Sequence, residues 1–211
     1  MNEYFTQAEL EVMLELSGGP AHTLFRVGPP PDDYAVTAAF TSLYRRGLLV
    51  RTERAFAPSD RAAYFRDMCA APLAVAIHAR DRAALCYAGG GTLWVCEHVR
   101  AERVRLSRVP YGSLEAWLFE TELLEPPILT AEDARELSLL RDDGAAPEGA
   151  VRLRMEKRRN GGDTLGVYEL LDGEAFPCLR SVEGGAETTE PYTREALRTL
   201  LARCFGKDGQ S

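Results

Sequence analysis

The stretch LAVAIHARDRAALCYAGGGTLWVCEHVRAERVRLSRV, Leu73 to Val109, decides the fold. Leu73, Val75 and Ile77 recur at period two, and extended runs follow at Ala83 to Tyr87, Leu93 to His98 and Arg103 to Val109. Parallel neighbours would need crossovers of about a dozen residues, and these connections are far shorter, the tightest being Gly89-Gly90-Gly91. The segment therefore predicts a four-stranded antiparallel meander.

Working outward, Ser59 or Asp60 opens a helix that runs to the brake at Pro72. Ser113 caps a helix with Leu114, Trp117, Leu118 and Leu124 at helical spacing, and Pro126-Pro127 ends the unit. The same order then returns. Thr130 and Asp133 form a capping pattern before Ala134, Leu137 and Leu140, and a polar loop from Asp142 to Gly149 follows. Val151, Leu153 and Met155 alternate with Arg152, Arg154 and Glu156, and turns are expected at Asn160-Gly161-Gly162, Asp172-Gly173 and Glu183-Gly184-Gly185. Thr193 caps a last helix with Leu197, Leu200, Leu201 and Cys204 on one face, and Gly206 stops it. The expected architecture is α+β, with two similar helix/antiparallel-meander/helix lobes around a pseudo-twofold axis. Residues 1–127 and 128–211 form the lobes of one compact structural domain, each meander covered on one face by its helices.

The N-terminal third adds helices. Thr6 and Glu9 make a capping box, Phe5 and Leu10 occupy the hydrophobic-staple positions, Leu10, Met13 and Leu14 form the apolar face, and Gly18-Gly19 stops the helix. Pro29 to Pro31 is a stiff connector. Asp32 or Asp33 caps a second helix with Val36, Ala39, Phe40 and Leu43 on one stripe, and Gly47 ends it. Leu48 to Thr52 and Arg54 to Phe56 suit a small hairpin.

Composition limits function. The 211 residues are 45% hydrophobic and 27% charged, enough for a sizeable core, and the net charge of -7 with pI near 5.1 opposes general attraction to phosphate backbones or anionic lipid. No apolar run reaches the roughly 18 residues of a membrane span, and MNEYFTQAELEV lacks a basic region followed by an apolar core. Five widely separated cysteines, mostly in apolar patterns, suit reduced packing residues. A cytoplasmic protein is expected.

Catalytic patterns fail one by one. Cys96 and His98 share a strand face, but a structural zinc site needs four ligands, usually anchored by C-x-x-C or H-x-x-x-H, and neither occurs. Gly112-Ser113-Leu114-Glu115 is not a nucleophile elbow, and Ser113 is explained as a helix cap. Gly89 to Gly91 precedes a strand, whereas phosphate-binding glycines precede a helix N-terminus. His22, His78 and His98 have no evident thiol or carboxylate companion. The reading is of a binding protein with no catalytic residues, metal or cofactor. The arginines at 100, 103, 105 and 108 and the cluster Arg152, Arg154, Lys157, Arg158, Arg159 read by default as solvated sheet faces. An alternative takes residues 32–56 as a DNA-binding winged helix, with Leu43 to Arg46 on the recognition helix and Arg51 to Arg54 on the wing; the whole-chain charge opposes it.

Several stretches resemble the EspG-like chaperones of ESX (type VII) secretion. They are the T-x-x-E-L-x-x-M-L helix at Thr6 to Leu14, SLYRRGLL at Ser42 to Leu49, LAVAIHARDRAALCYAGG at Leu73 to Gly90, and V-P-x-x-x-L at Val109 to Leu114 before a Glu-Pro-Pro boundary. TAEDARELSLL, GVYELLDGEAFPCLRSVEG and PYTREALRTLLARCF continue the likeness through the second half. The resemblance implies a cytosolic, non-enzymatic, quasi-twofold α+β protein with a central antiparallel sheet. Its partner would be a helical secreted protein of the PE/PPE type or another type VII substrate. The short link between Leu140 and Val151 departs from the family. Such a chaperone must offer apolar surface with a charged rim. Trp94, Tyr168 and Phe176 lie in predicted strands and are the candidate partner-binding side chains, the competing reading being that all three are core.

Overall fold

Short connections dictate the pairing seen in the computed structural model, which describes residues 2–19, 30–80, 82–89, 92–100, 103–139, 149–159, 162–173 and 176–205. In chain order the elements are β1 (Asn2–Thr6), α1 (Gln7–Leu16), α2 (Asp33–Arg45), β2 (Leu49–Arg51), β3 (Phe56–Pro58) and α3 (Tyr64–Ala70). The first meander is β4 (Leu73–Ala79), β5 (Arg82–Gly89), β6 (Thr92–Arg100) and β7 (Arg103–Pro110), followed by α4 (Leu114–Glu120) and α5 (Ala131–Leu139). The second is β8 (Gly149–Arg159), β9 (Thr164–Gly173), β10 (Cys178–Glu183) and β11 (Ala186–Pro191), closed by α6 (Arg194–Phe205).

Both meanders join one sheet of nine described strands, in the order β1-β7-β6-β5-β4-β8-β9-β10-β11. The seam is the antiparallel pair β4–β8, with Ile77 opposite Met155 and Ala79 opposite Leu153. Each meander begins at the seam and steps outward, so a pseudo-twofold axis through β4–β8 relates them. The two lobes therefore share one sheet.

Local signals act where chemistry requires. Thr6 and Glu9 exchange capping-box bonds at 3.1 and 2.8 Å, and the Asp32 carboxylate accepts from the Ala35 amide at 2.7 Å. Gly184 and Gly185 both adopt positive φ, +56° and +83°, which a tight hairpin whose twist matches its strands demands.

Several expectations are corrected. Asn2–Thr6 is an edge strand on β7, a role its short polar sequence does not announce. Asp172-Gly173 is no turn: it pairs with Ala150 and Gly149 at the end of β9. The chain reverses beyond it, so Phe176 sits in the bend before β10 and not in a strand. Leu49, Val50 and Arg51 pair with Pro58, Ala57 and Phe56, which moves the return strand of the small hairpin past Arg54. The helix expected from Ser59 begins as a 3-10 turn at Asp60–Ala62 before α3. Pro29, Gly90, Gly91, Leu140, the loop after it to residue 148, Asn160, Gly161 and Gly206 lie outside the described residues.

Two cores lie on opposite faces of the sheet. On one face Ile77, Cys86, Val95, Met155, Tyr168 and Leu179 pack beneath Leu114 and Leu118 of α4 and Leu197, Leu200 and Cys204 of α6. On the other, Ala76, Tyr87, Cys96 and Leu106 pack beneath Leu10 and Met13 of α1 and Phe65 and Met68 of α3. No residue of the second core comes from β8–β11. Among the described residues, helices thus cover the first meander on both faces, not on one as its pattern was read, and the second meander on one.

Candidate partner-binding surface

Beyond the seam, the face that α1 and α3 cover over the first meander becomes an ionic surface. Strand alternation and register set Arg154, Glu169 and Arg180 side by side across β8, β9 and β10. Arg154 Nη1 donates to Glu169 Oε1 at 2.8 Å, and Arg180 Nε donates to Glu169 Oε2 at 2.9 Å. Glu156, two residues along β8, accepts from Arg154 at 2.8 Å and from Arg158 at 2.7 Å. The Glu169 side chain is only 5% exposed, whereas those of Arg154 and Arg180 keep 45% and 32%. A buried carboxylate between two half-open guanidiniums escapes the penalty of an unpaired buried charge.

The electrostatics hold this lattice ionised. Bonding to Glu156 is the main force raising the Arg154 guanidinium above its usual range. Bonding to Arg158, ahead of the opposing cost of burial, keeps the Glu156 carboxyl below its own. Apolar strips flank the charged row. The half-buried Val167 faces Val182 on one side, and on the other Val151 aligns with Leu171 and Cys178, which are themselves buried. Val151 is 49% exposed, and His78, exposed on β4, stands opposite Arg154. Charge flanked by apolar strips can orient and hold a protein segment.

The carboxylates of this lattice are engaged. Glu156 and Glu169 already accept from arginines, and among the described residues no group of three His, Cys, Asp or Glu side chains is placed to hold a metal ion. Burial pushes the Cys86, Cys96 and Cys204 thiols up, away from the thiolate form. No helix of the described residues is long and apolar enough to cross a membrane.

The three aromatic candidates do not converge. Tyr168 is fully buried in the core under α6, with its hydroxyl donated to Glu183, so it cannot meet a partner. Trp94 stacks on Tyr64 at 5.2 Å and lies under the Arg108 guanidinium, packed against the second core. Phe176 is half-buried at the β9–β10 bend. Read from sequence, Arg154 and its basic neighbours form a solvated sheet face, and the network with Glu156, Glu169 and Arg180 is not foreseen; VRLRM does alternate cleanly, whereas LAVAIHA and ALCYA run nearly continuously apolar, as strands covered on both faces do. The winged-helix segment is built into the sheet assembly. Leu43 is buried in the second core, Arg46 is engaged by Glu9 at 3.2 Å, and Arg51 and Arg54 remain exposed.

No protein-family profile matches the sequence, and no curated protein matches it. A solved structure does match, that of the Mycobacterium tuberculosis type VII secretion system chaperone EspG5 in complex with the PE25-PPE41 dimer. The correspondence covers 100% of this chain and 99% of the other, with a TM-score of 0.56 and 12% identity. At that identity the likeness is one of fold, and the α+β architecture read from the sequence is that of EspG5 from end to end.

Proposed function

We propose that this chain is a cytoplasmic secretion chaperone that binds a helical type VII substrate of PE/PPE kind and catalyses nothing. The observation that carries this reading is the end-to-end likeness in fold to EspG5, a chaperone seen holding a PE25-PPE41 dimer. The open face of β8–β10 supports it. A sheet backed by α6 and presenting an ordered ionic row beside the exposed Val151 is preorganised, and loses little entropy when a helical segment docks. Its arginines and carboxylates would fix the orientation of the guest, while the strips around Val151 and Val182 would cover apolar guest surface.

Co-expression with helical exported proteins encoded near the gene, followed by size-exclusion chromatography, tests the reading. A stable complex is expected, and Val151→Asp, which adds charge at an exposed position, should weaken it by about tenfold or more without altering the circular dichroism of the free chaperone. Absence of a complex with every such protein would overturn the function; a complex indifferent to Val151→Asp would overturn only the docking face.

A further inference from the structure

The hydrogen bonds of the ionic row on β8–β10 do not balance. Both oxygens of each carboxylate already accept. Glu156 Oε1 takes Arg154 Nε at 2.8 Å and Glu156 Oε2 takes Arg158 Nη2 at 2.7 Å. Glu169 Oε1 takes Arg154 Nη1 at 2.8 Å, and Glu169 Oε2 takes Arg180 Nε at 2.9 Å together with Arg180 Nη2. The donors are in surplus. Arg154 Nη2 and Arg180 Nη1 have no partner among the described residues, and Arg158 Nε, although buried, has none either. Burial separates the two kinds of group: the carboxylates are largely covered, whereas the Arg154 and Arg180 side chains keep 45% and 32% of their surface. His78 and Thr189 extend the row at its two ends, and the exposed Glu187 stands one row away, opposite Val182.

We infer that Arg154 and Arg180, held in place by Glu169, grip one aspartate or glutamate side chain of the helical guest, a role that rests on the function proposed above. A helix lying across the sheet has its backbone carbonyls bonded internally except in its last turn, so the acceptors it offers along the contact are side chains. Among these a carboxylate forms the strongest bonds to guanidinium and matches its planar fork. Glu169 is the positioning residue. By accepting from one guanidinium on β8 and another on β10 it fixes both planes before the guest arrives, so little of the rotamer freedom of two long side chains remains to be lost on docking. Discrimination follows from the same surplus: a lysine or arginine of the guest placed over this row meets donors and no free acceptor, and is rejected.

A double-mutant cycle with the co-expressed guest tests the grip. Arg154→Gln/Arg180→Gln would leave Glu169 buried and unpaired, which destabilises the fold, so the chaperone variant is Arg154→Gln/Glu169→Gln/Arg180→Gln, its folded state checked by circular dichroism. Each aspartate and glutamate of the guest is changed in turn to asparagine or glutamine, and affinity is measured for the wild-type chaperone and for the triple variant. We expect one guest position whose neutralisation weakens binding to the wild type by about tenfold or more and binding to the triple variant by less than about twofold. Glu169→Gln alone separates positioning from attraction. It makes the face more positive, so attraction alone would tighten an acidic guest, whereas loss of the fixed guanidinium planes should weaken it by about threefold or more. A complex indifferent to the triple variant, or a guest in which every acidic position loses equal affinity for both chaperones, overturns the inference and leaves the chaperone function standing; tighter binding by Glu169→Gln overturns the part given to Glu169. If no helical exported protein binds at all, the function proposed above fails and this grip falls with it.

Discussion

Glu115 shows how much one side chain does between the halves. It lies on α4 and accepts from two guanidiniums of α6, Arg198 at 2.8 Å and Arg194, thereby tying the symmetry-related helices together over the shared core. Burial tends to raise its pKa, but the bonds and charges of Arg198 and Arg194 outweigh that and hold the carboxyl below its ordinary range. A carboxylate depressed in the folded state stabilises above its unfolded pKa of about 4.3, and that contribution is lost as pH falls through the lowered folded value. Both arginines are more than half exposed, so the pair contributes about 0.5–1 kcal/mol. Glu115→Gln should therefore be less stable than wild type by about that amount near neutrality, with the gap closing under acid conditions; urea melts at a series of pH values will show whether it does. The capping residues Thr6, Asp32 and Thr193 were legible because their function is local. Glu115 was not, because Arg194 and Arg198 lie some eighty residues away in the chain.

At the scale of elements, α6 and the sheet edges carry the argument. α6 turns Leu197, Leu200, Leu201 and Cys204 onto the sheet, and the Lys157 ammonium donates to the Arg203 carbonyl at 2.7 Å, placing a cation at the helix C-terminus. Leu197 is fully buried beneath both halves, so Leu197→Ala should cost about 2–4 kcal/mol; a chemical-denaturation midpoint within error of wild type would mean that α6 is not packed as described. The described edges differ in their protection. β1 is five residues long and passes straight into α1, while β11 carries Glu187, Glu190 and the terminal Pro191, features that discourage pairing with a stray strand. The meander strands and their turns were readable from period-two alternation. Asp172-Gly173 was misread because a turn-forming dipeptide yields to a neighbour able to bond it, and β8 supplies Ala150 and Gly149.

Across the molecule, the first core joins residues of β4–β6 to residues of β8–β10, with α4 and α6 laid over both. Neither half closes its own interior. Heat should therefore unfold the chain in one transition, with calorimetric and van't Hoff enthalpies in agreement, and residues 128–211 expressed alone should lack the dispersed amide spectrum of a folded protein. Two resolved transitions, or a folded isolated half, would contradict a shared core. The same asymmetry of cover sets the two halves of that face apart: the second core ends at β4, and past the seam the row of Arg154, Glu169 and Arg180 takes over.

Alternation, caps and turn chemistry by themselves determined the two meanders, their antiparallel sense, most of the helices and the repeated layout, since each depends on residues only a few positions apart. Tertiary structure alone decided that β4 and β8 fuse the repeats into one sheet, that β1 joins its edge, that Tyr168 lies inside while Val151 faces out, and which face stays open. Those outcomes follow from competition among distant surfaces for the same burial, and a chain read in order holds no record of which surface wins.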